Sequence, residues 1–336
     1  MNHKKMPRSL NTRILYTALS FLFRIKHFEE EWRGLRNSNF PVEAAFYPTG
    51  LGIEVTNLCN ANCVFCAYQY RKRPTIFMSQ ETFQNVIDQY VALGKDKTGI
   101  GLTPIVGDPL VDRDLVQKIE YAHSFPQIKN IHITTNAILL TRKLFDQLVD
   151  AGLNMMTISM SGFDAQEYER VYRNNQYANV VKNLRAIARS DRFKKCKIEI
   201  GLRTSSLLPW LKKEYWEFRS LGFKISRNLF FDNWSGRIKD DDLHGAMFLR
   251  PERKSRRIPC TILYQGPHVL ADGTITACGC RDLEGTSELR LGNLRQSSMA
   301  QILGGGKLEG LRQRFLDGDL PDVCRDCKHY SPMTLH

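Results

Sequence analysis

The stretch TNLCNANCVFCAYQYRKR, residues 56–73, places Cys59, Cys63 and Cys66 within eight positions. Three thiolates can hold three corners of a cubane iron–sulfur cluster and leave the fourth iron open to a small ligand. A structural zinc site takes four protein ligands in a closed shell, and no histidine stands in this stretch to complete one. The stretch therefore favours a cluster with one open iron over a structural metal site.

Strand-type and helix-type segments alternate around this stretch, from about residue 50 to residue 231. We predict strands at 51–56, 99–105, 130–135, 153–160, 197–203 and 223–231, with helical segments between them. Ser79 and Thr141 are predicted to cap two helices, and Gly94 and Gly152 to end them. Such alternation is typical of parallel βαβ units. Six units predict an α/β fold, an open and partial (β/α)6 TIM-like barrel, although a flat doubly wound sheet also fits the pattern.

Three segments are predicted along the chain. Residues 1–48 form an N-terminal helical extension, and residues 49–240 form the partial barrel. Residues 250–336 form a small C-terminal domain, since five of the nine cysteines lie from residue 258 onward. Low apolar content with many cysteines indicates a domain organised by metal rather than by a large core. Within it we predict a hairpin that turns at Asp272-Gly273 and a helix at 297–303.

The composition is basic, with 48 Lys and Arg residues against 35 acidic residues and a formal net charge of +13. Such a charge attracts nucleic acid, an acidic membrane surface or an anionic substrate. The basic clusters lack interleaved aromatic side chains on which bases could stack. A solvated surface is therefore the favoured interpretation, and we expect nucleic acid not to be a partner.

No run of the sequence reaches the roughly 18 apolar residues that a transmembrane segment needs. Residues 14–23, ILYTALSFLF, follow a basic start, but no small-residue cleavage site comes after them. We therefore expect a cytoplasmic protein whose cysteines stay reduced. The same segment predicts an amphipathic helix that covers the main domain, with a membrane interface as the alternative.

The spacing C-x3-C-x2-C directly after the first strand, with Phe65 before the last cysteine, resembles the radical S-adenosylmethionine (radical SAM) superfamily. The resemblance implies that Cys59, Cys63 and Cys66 hold a [4Fe–4S] cluster whose open iron is chelated by S-adenosylmethionine. It implies reductive cleavage of that cofactor to a 5′-deoxyadenosyl radical, which abstracts a hydrogen atom from substrate. It also implies a flavodoxin- or ferredoxin-type electron donor.

Weaker motifs follow the later strands. VGDPL, residues 106–110, stands where the family usually carries Gly-Gly-Glu-Pro, with Asp108 in place of the glutamate. The ordinary interpretation is a turn, because Gly-Asp-Pro is common turn chemistry. The motifs after the second, third, fourth and fifth predicted strands all lie at the carboxyl ends of those strands, and in a barrel these ends meet at one mouth. The resemblance implies cofactor contacts there from Phe65, Gly107, Asp108, Pro109, Asn136, Ser159, Ser161 and Arg203.

The C-terminal cysteines resemble the auxiliary-cluster domain of SPASM and twitch radical SAM enzymes. The pattern runs from Cys260 through Cys278 to the C-x2-C pair Cys324 and Cys327, and no cysteine follows. A full SPASM domain has further cysteines for a second auxiliary cluster. The resemblance therefore implies the shorter twitch form, with one auxiliary [4Fe–4S] cluster on these four residues; zinc is the alternative.

Two cysteines are left without a place in either cluster. Cys196 is predicted to have no role. Cys280 could replace Cys278 as a ligand, serve the structure, or face the barrel and donate a hydrogen atom to a substrate radical, since a thiol S–H bond is weak. The last possibility makes it a candidate catalytic residue.

The reaction that follows hydrogen abstraction is not decided by these motifs. We predict oxidation or epimerisation of a small, sugar-like natural product or metabolite. A maturase acting on a ribosomal peptide is the first alternative, although no winged-helix leader-binding module is recognisable before residue 50. An RNA-modifying enzyme and a non-catalytic iron–sulfur electron carrier are alternatives of other classes; an open-site cluster in a barrel argues against a carrier.

Overall fold

The computed structural model describes residues 17, 18, 21, 50–94, 98–204, 206, 208–243, 247–252, 256–279 and 281–333. The predicted helical extension, residues 1–48, lies almost wholly outside the described residues, and so does Cys280. Within the described part of the chain, no helix has both the length and the apolar character of a membrane span.

Six parallel strands form the centre of the fold, and their order in the sheet follows their order in the chain. A doubly wound sheet would reverse direction part of the way across, so that alternative is wrong. The α/β fold and the open, partial (β/α)6 barrel are confirmed. The strands are β1 (Gly50–Ile53), β2 (Thr98–Gly101), β3 (Ile128–Thr135), β4 (Met155–Met160), β5 (Lys197–Leu202) and β6 (Lys224–Arg227).

Six α-helices connect these strands. They are α1 (Gln80–Ala92), α2 (Leu115–His123), α3 (Arg142–Asp150), α4 (Ala165–Tyr172), α5 (Tyr177–Ala188) and α6 (Lys213–Ser220). The predicted caps are confirmed, because Ser79 Oγ accepts from Thr82 N and Thr141 Oγ1 from Leu144 N. Gly94 follows α1 with φ 79°, in the left-handed region that glycine enters without strain.

Each strand turns one face toward the helices and the other toward the lumen of the barrel, because side chains alternate along a strand. The helix-facing positions carry buried aliphatic residues such as Ile53, Ile100 and Ile133. The lumen-facing positions are small or polar, and glycines occupy them on β1 and β2. The core therefore lies between the sheet and the helices, and the lumen keeps space for a ligand.

The predicted strand 223–231 is wrong in its second half. The ladder of β6 ends where Asn228 N donates to Leu202 O at 2.7 Å. The chain then leaves the sheet, and β7 (Phe230–Phe231) pairs in parallel with β8 (Phe248–Leu249) in a separate two-stranded sheet. Pairing with a distant segment causes the break, and it places the ring of Phe231 5.2 Å from that of Phe65.

The C-terminal segment extends the barrel sheet. Strand β9 (His268–Val269) pairs in parallel with β1, β10 (Thr274–Thr276) pairs antiparallel with β9, and β11 (Arg290–Asn293) completes a nine-stranded sheet. The predicted hairpin turn is confirmed, with Gly273 at φ 84°. The remaining helices are α7 (Ile262–Gln265), α8 (Met299–Leu303, near the predicted 297–303), α9 (Lys307–Asp317) and α10 (Asp322–Arg325).

Candidate functional site

The cysteine stretch forms a loop that follows β1 and packs on α4. Val64 N donates to Val171 O at 2.9 Å, and Cys66 N donates to Cys63 O at 3.1 Å. The Cys66 sulfur accepts from Tyr68 N at 3.4 Å, which opens a short 3-10 helix. These contacts fix the loop and place all three thiols at the mouth of the barrel.

Burial makes these thiols poor acids in the absence of metal. It raises the pKa of Cys59 to about 12 and that of Cys66 to about 11. Burial also raises the pKa of Cys63, and the neighbouring Cys66 and Cys59 add to the effect. Coordination to iron deprotonates a thiol outright, so three adjacent buried thiols fit a positively charged metal group whose binding releases protons.

Asp108 fastens the loop after β2 to the end of β3. Its carboxylate accepts from Leu110 N at 3.0 Å, Thr135 Oγ1 at 2.9 Å and Asn136 N at 2.7 Å. Burial raises the pKa of Asp108 to about 6, and these three hydrogen bonds oppose the rise. The carboxylate thus acts within the protein as a positioning group, and its predicted contact with the cofactor stays a prediction.

Gly107 lets this loop approach the cysteine loop. Its φ is 143°, and an added Cβ would lie 2.9 Å from Thr56 O. Asp108 N donates to Leu58 O at 2.9 Å, next to the first cysteine. Pro109 starts a short 3-10 helix that Asp108 caps. Gly107, Asp108 and Pro109 therefore form one tight turn against the cysteine loop.

Asn136 lies beside the first cysteine, and its contact with the cofactor stays a prediction. Its Nδ2 donates to Asn60 Oδ1 at 2.7 Å and lies 3.9 Å from Cys59 Sγ. The backbone of Asn136 is held by Asp108, so the strand-end positions of β2 and β3 meet at Cys59. The side chain is 7% exposed, and it can reach a ligand bound on that side.

A second group of predicted residues meets around Arg203. Its Nε donates to Ser159 Oγ at 2.6 Å, and its guanidinium lies 5.0 Å from the centre of the Phe65 ring and 5.2 Å from that of Phe231. The positive charge partly offsets the burial of Cys63 and Cys66. Ser161 is fully buried and donates weakly to Gly162 O at 3.4 Å.

Two aromatic residues at this site were missed from the sequence. Tyr172 Oη is 2.9 Å from Ser159 Oγ, and its ring packs edge-on against Phe65 at 5.7 Å. Trp234 Nε1 donates to Phe65 O at 2.9 Å. No motif in the sequence singles out Tyr172, which ends α4, and Trp234 lies in a polar, turn-rich segment after the last predicted strand.

The four C-terminal cysteines predicted as ligands line one cavity. Cys260, Cys278, Cys324 and Cys327 surround it together with apolar side chains and with Arg281 and His329. Burial raises the pKa of Cys324, with Cys327 and Cys260 adding to the effect. No group of His, Cys, Asp or Glu side chains in the described ranges is drawn together to hold a single metal ion. Four thiols around a shared, largely apolar space fit the closed shell of an auxiliary cluster.

The lumen holds a cavity of about 810 Å³, and its lining includes side chains that lie beside each of the two cysteine groups. Arg203 lines it beside the N-terminal cysteines, while Arg281 and His329 line both this cavity and the one formed by the four C-terminal cysteines. Its wall on β1 and β2 is formed by lumen-facing glycines, Gly50, Gly52, Gly99 and Gly101. We call this space the lumen cavity.

The basic end of the cysteine stretch joins the barrel to the C-terminal segment. Arg73 Nη2 binds Glu54 Oε2 at 2.8 Å, and Arg73 Nε donates to Leu283 O at 2.9 Å. The carboxylate of Glu284 accepts from Lys72 N and Arg73 N at 3.0 and 2.9 Å. In the sequence, this junction between the barrel and the C-terminal segment is marked by the basic run Arg71 to Arg73.

Two family models match the chain. The model of the radical SAM superfamily matches residues 53–204, and the model of the SPASM iron–sulfur cluster-binding domain matches residues 260–328. Together they cover more than half of the chain and include every cysteine ligand predicted above.

Among curated proteins, a GTP 3′,8-cyclase of Lactiplantibacillus plantarum is 31% identical over 153 residues, which is 45% of this chain and 44% of that protein. A GTP 3′,8-cyclase of Pseudomonas putida is 33% identical over 143 residues, or 42% of this chain and 41% of the other. The chain thus spans less than half the length of these relatives.

Among solved structures, BtrN in complex with AdoMet and 2-DOIA matches with a TM-score of 0.58 and 16% identity, covering 83% of this chain and 92% of that one. This likeness shows the fold alone. The two matched domains imply S-adenosylmethionine and two [4Fe–4S] clusters as cofactors, and the two buried cysteine groups fit them. The chain belongs to the radical SAM superfamily and carries a C-terminal SPASM iron–sulfur domain.

Proposed function

We propose that this chain abstracts a hydrogen atom from a small polar substrate held in the lumen cavity and oxidises it. The observation that carries the proposal is that residues beside both cysteine groups line one cavity. Arg203 lines it and its charge acts on Cys63 and Cys66. Arg281 and His329 line both this cavity and that of the C-terminal cysteines, so a substrate held here would lie near both cofactors.

The two clusters would serve different steps of the reaction. When bound, S-adenosylmethionine on the open cluster supplies a 5′-deoxyadenosyl radical on one-electron reduction, and the auxiliary cluster supplies an acceptor for the electron that the substrate radical gives up. The chain holds the first cluster with Cys59, Cys63 and Cys66. It holds the auxiliary cluster, in the single-cluster twitch form, with the four C-terminal cysteines.

The remaining residues of the site orient the cofactor and enclose the cysteine loop. Asp108 and its hydrogen bonds fix Asn136 beside Cys59, and the aromatic rings around Arg203 keep water from that side of the thiols. Preorganised groups of this kind hold a reactive cofactor in place and suppress side reactions. We assign cofactor binding to Phe65, Gly107, Pro109, Asn136, Ser159, Ser161 and Arg203 on this basis, with Asp108 as a positioning residue.

The charges that line the lumen cavity favour a substrate with an acidic group. Arg203, Arg250 and Arg281 face it, against the single carboxylate of Asp232. Asp232 is paired with Arg281 at 2.7 Å, and both side chains are only 5% exposed. Arg203 has no such ion pair among the residues that the structure describes, so its positive charge can attract an anion.

The test is anaerobic reconstitution followed by iron analysis and product analysis. We expect about eight irons per chain, and about four in the Cys59→Ala/Cys63→Ala/Cys66→Ala variant. Reduced wild-type protein should convert S-adenosylmethionine to 5′-deoxyadenosine, with a flavodoxin or ferredoxin as the proposed physiological donor. A Cys324→Ala/Cys327→Ala variant should keep some of this cleavage. The proposal fails if intact, fully loaded protein yields no 5′-deoxyadenosine.

A second candidate is cyclisation of a nucleotide. It is favoured by the similarity to GTP 3′,8-cyclases over the barrel segment and by the positive charge of Arg203 in the lumen cavity. Incubation with GTP separates the two: consumption of GTP coupled to 5′-deoxyadenosine formation supports cyclisation, and an unchanged GTP pool rejects it. The cytoplasmic location that we propose supplies the reducing conditions both reactions need.

A further inference from the structure

Tyr168 is a fully buried side chain on α4, the helix on which the cysteine loop packs. Its exposed fraction is 0%, and its ring stacks on Tyr172 at 4.6 Å with an interplanar angle of 3°. Helix α4 is anchored at both ends, since Asp164 caps its N-terminus and Val171 O accepts from Val64 N. The phenol ring is therefore held in one orientation.

The hydroxyl of Tyr168 has no hydrogen-bond partner among the residues that the structure describes. The neighbouring Tyr172 differs, because its hydroxyl meets Ser159 Oγ. A buried hydroxyl without a partner is destabilising, so such groups in native proteins usually face a ligand, an ion or water.

Val171, which accepts from Val64 of the cysteine loop, lies three positions after Tyr168 and therefore on the same face of α4. Burial raises the pKa of Tyr168, and the nearby charges of Cys63, Asp108 and Cys59, in that order, raise it further. A phenol O–H can donate a hydrogen bond to a thiolate or to the sulfur of a cluster. Asp108 already accepts hydrogen bonds from Leu110, Thr135 and Asn136, so we take the sulfur side as the acceptor.

We propose that Tyr168 Oη donates a hydrogen bond to the cluster on Cys59, Cys63 and Cys66, on its Cys63 side, and thereby raises the reduction potential of that cluster. The cluster gains negative charge on reduction, and a hydrogen bond to charged sulfur is stronger when that charge is larger. The inference rests on the cluster assignment of the proposed function but not on turnover or on any substrate.

The test is the Tyr168→Phe variant, which keeps the ring and its stacking and removes the hydroxyl. Redox titration should follow the paramagnetic signal that changes when S-adenosylmethionine is added, since that signal belongs to the open cluster. We expect the reduction potential of the open cluster to fall by up to about 59 mV, which for one electron is a tenfold smaller equilibrium constant for reduction. Tyr177→Phe is the matched control, because its ring packs on Tyr168 at 5.9 Å and its removal should leave the potential unchanged.

Two results would overturn the inference. One is an unchanged potential in Tyr168→Phe. The other is a shift seen only with S-adenosylmethionine bound, which would make the cofactor the acceptor. If Tyr168→Phe fails to assemble its cluster, the wild-type protein can be measured instead. Transfer to D2O should add the magnetic coupling of an exchangeable deuteron to the spectrum of the reduced cluster. Absence of this coupling would also reject Tyr168 as the hydrogen-bond donor. If the potential shifts but no 5′-deoxyadenosine forms, only the proposed function fails.

Discussion

Arg203 connects more of the site than any other single side chain. It donates to Ser159, stacks between the rings of Phe65 and Phe231, and lines the lumen cavity. The planar guanidinium makes all of these contacts together, and a lysine ammonium cannot. The position of Arg203 at the end of β5 was predictable from the sequence, but its partners were not, because they come from three separate segments.

We predict that Arg203→Lys weakens binding of S-adenosylmethionine by about tenfold while iron content stays unchanged. The charge remains, but the stacking and the hydrogen bond to Ser159 are lost. Titration of the cofactor into reconstituted protein measures the affinity. Arg185→Lys is the control, since Arg185 pairs with Glu217 at the surface. Equal affinities in the two variants would contradict the role of Arg203.

Cys280 lies outside the described residues, but its chain neighbours Gly279 and Arg281 both line the lumen cavity. If this thiol donates the hydrogen atom, product formed in D2O carries one solvent deuterium. Cys280→Ala should then abolish deuterium incorporation while leaving formation of 5′-deoxyadenosine intact. Mass spectrometry of the product decides the matter, and unchanged incorporation would remove Cys280 as the donor.

At the scale of single elements, local signals predicted the structure well. Ser79 and Thr141 cap their helices through bonds to residues three positions away, and these contacts are readable from the sequence. The break between β6 and β7 was not readable, because it depends on pairing with Phe248–Leu249. The turn around Asp108 was located correctly, but the sequence could not show that its carboxylate accepts hydrogen bonds from Thr135 and Asn136.

We predict that Asp108→Ala lowers the free energy of unfolding by about 3 kcal/mol, because it leaves three buried donors without an acceptor. Urea unfolding of the reduced, metal-free chain measures the loss. Asp164→Ala is the matched control, since Asp164 also caps a helix but its side chain is 38% exposed, and its loss should cost about 1 kcal/mol. Equal losses would show that Asp108 is an ordinary cap.

For the whole molecule, the central fact is the attachment of the C-terminal segment to β1. Glu284 binds the backbone of Arg73 across 211 positions of the chain, and β9 pairs with β1. Cysteine spacing predicted a C-terminal cluster domain, yet no periodicity within it could show that its strands continue the barrel sheet. Long-range pairing of this kind brings Arg203 and Arg281, which lie beside the two cysteine groups, into the lining of one cavity.

We predict that Arg73→Gln loosens this junction and lowers the free energy of unfolding by about 3 kcal/mol, because it leaves the fully buried carboxylate of Glu54 without its cation. Limited proteolysis should then cut between the barrel and residue 260 faster than in the wild type. Adding Glu54→Gln should restore part of the stability. Lys72→Gln is the control, since Lys72 meets Glu284 only through its backbone; equal sensitivity in both variants would contradict the account.

The most direct test of the open iron at the mouth of the barrel is the paramagnetic resonance spectrum of the reduced protein, recorded with and without S-adenosylmethionine. The account predicts that the cofactor changes the signal in the wild type and in the Cys324→Ala/Cys327→Ala variant, but not in the Cys59→Ala/Cys63→Ala/Cys66→Ala variant. A wild-type signal that the cofactor leaves unchanged would contradict it.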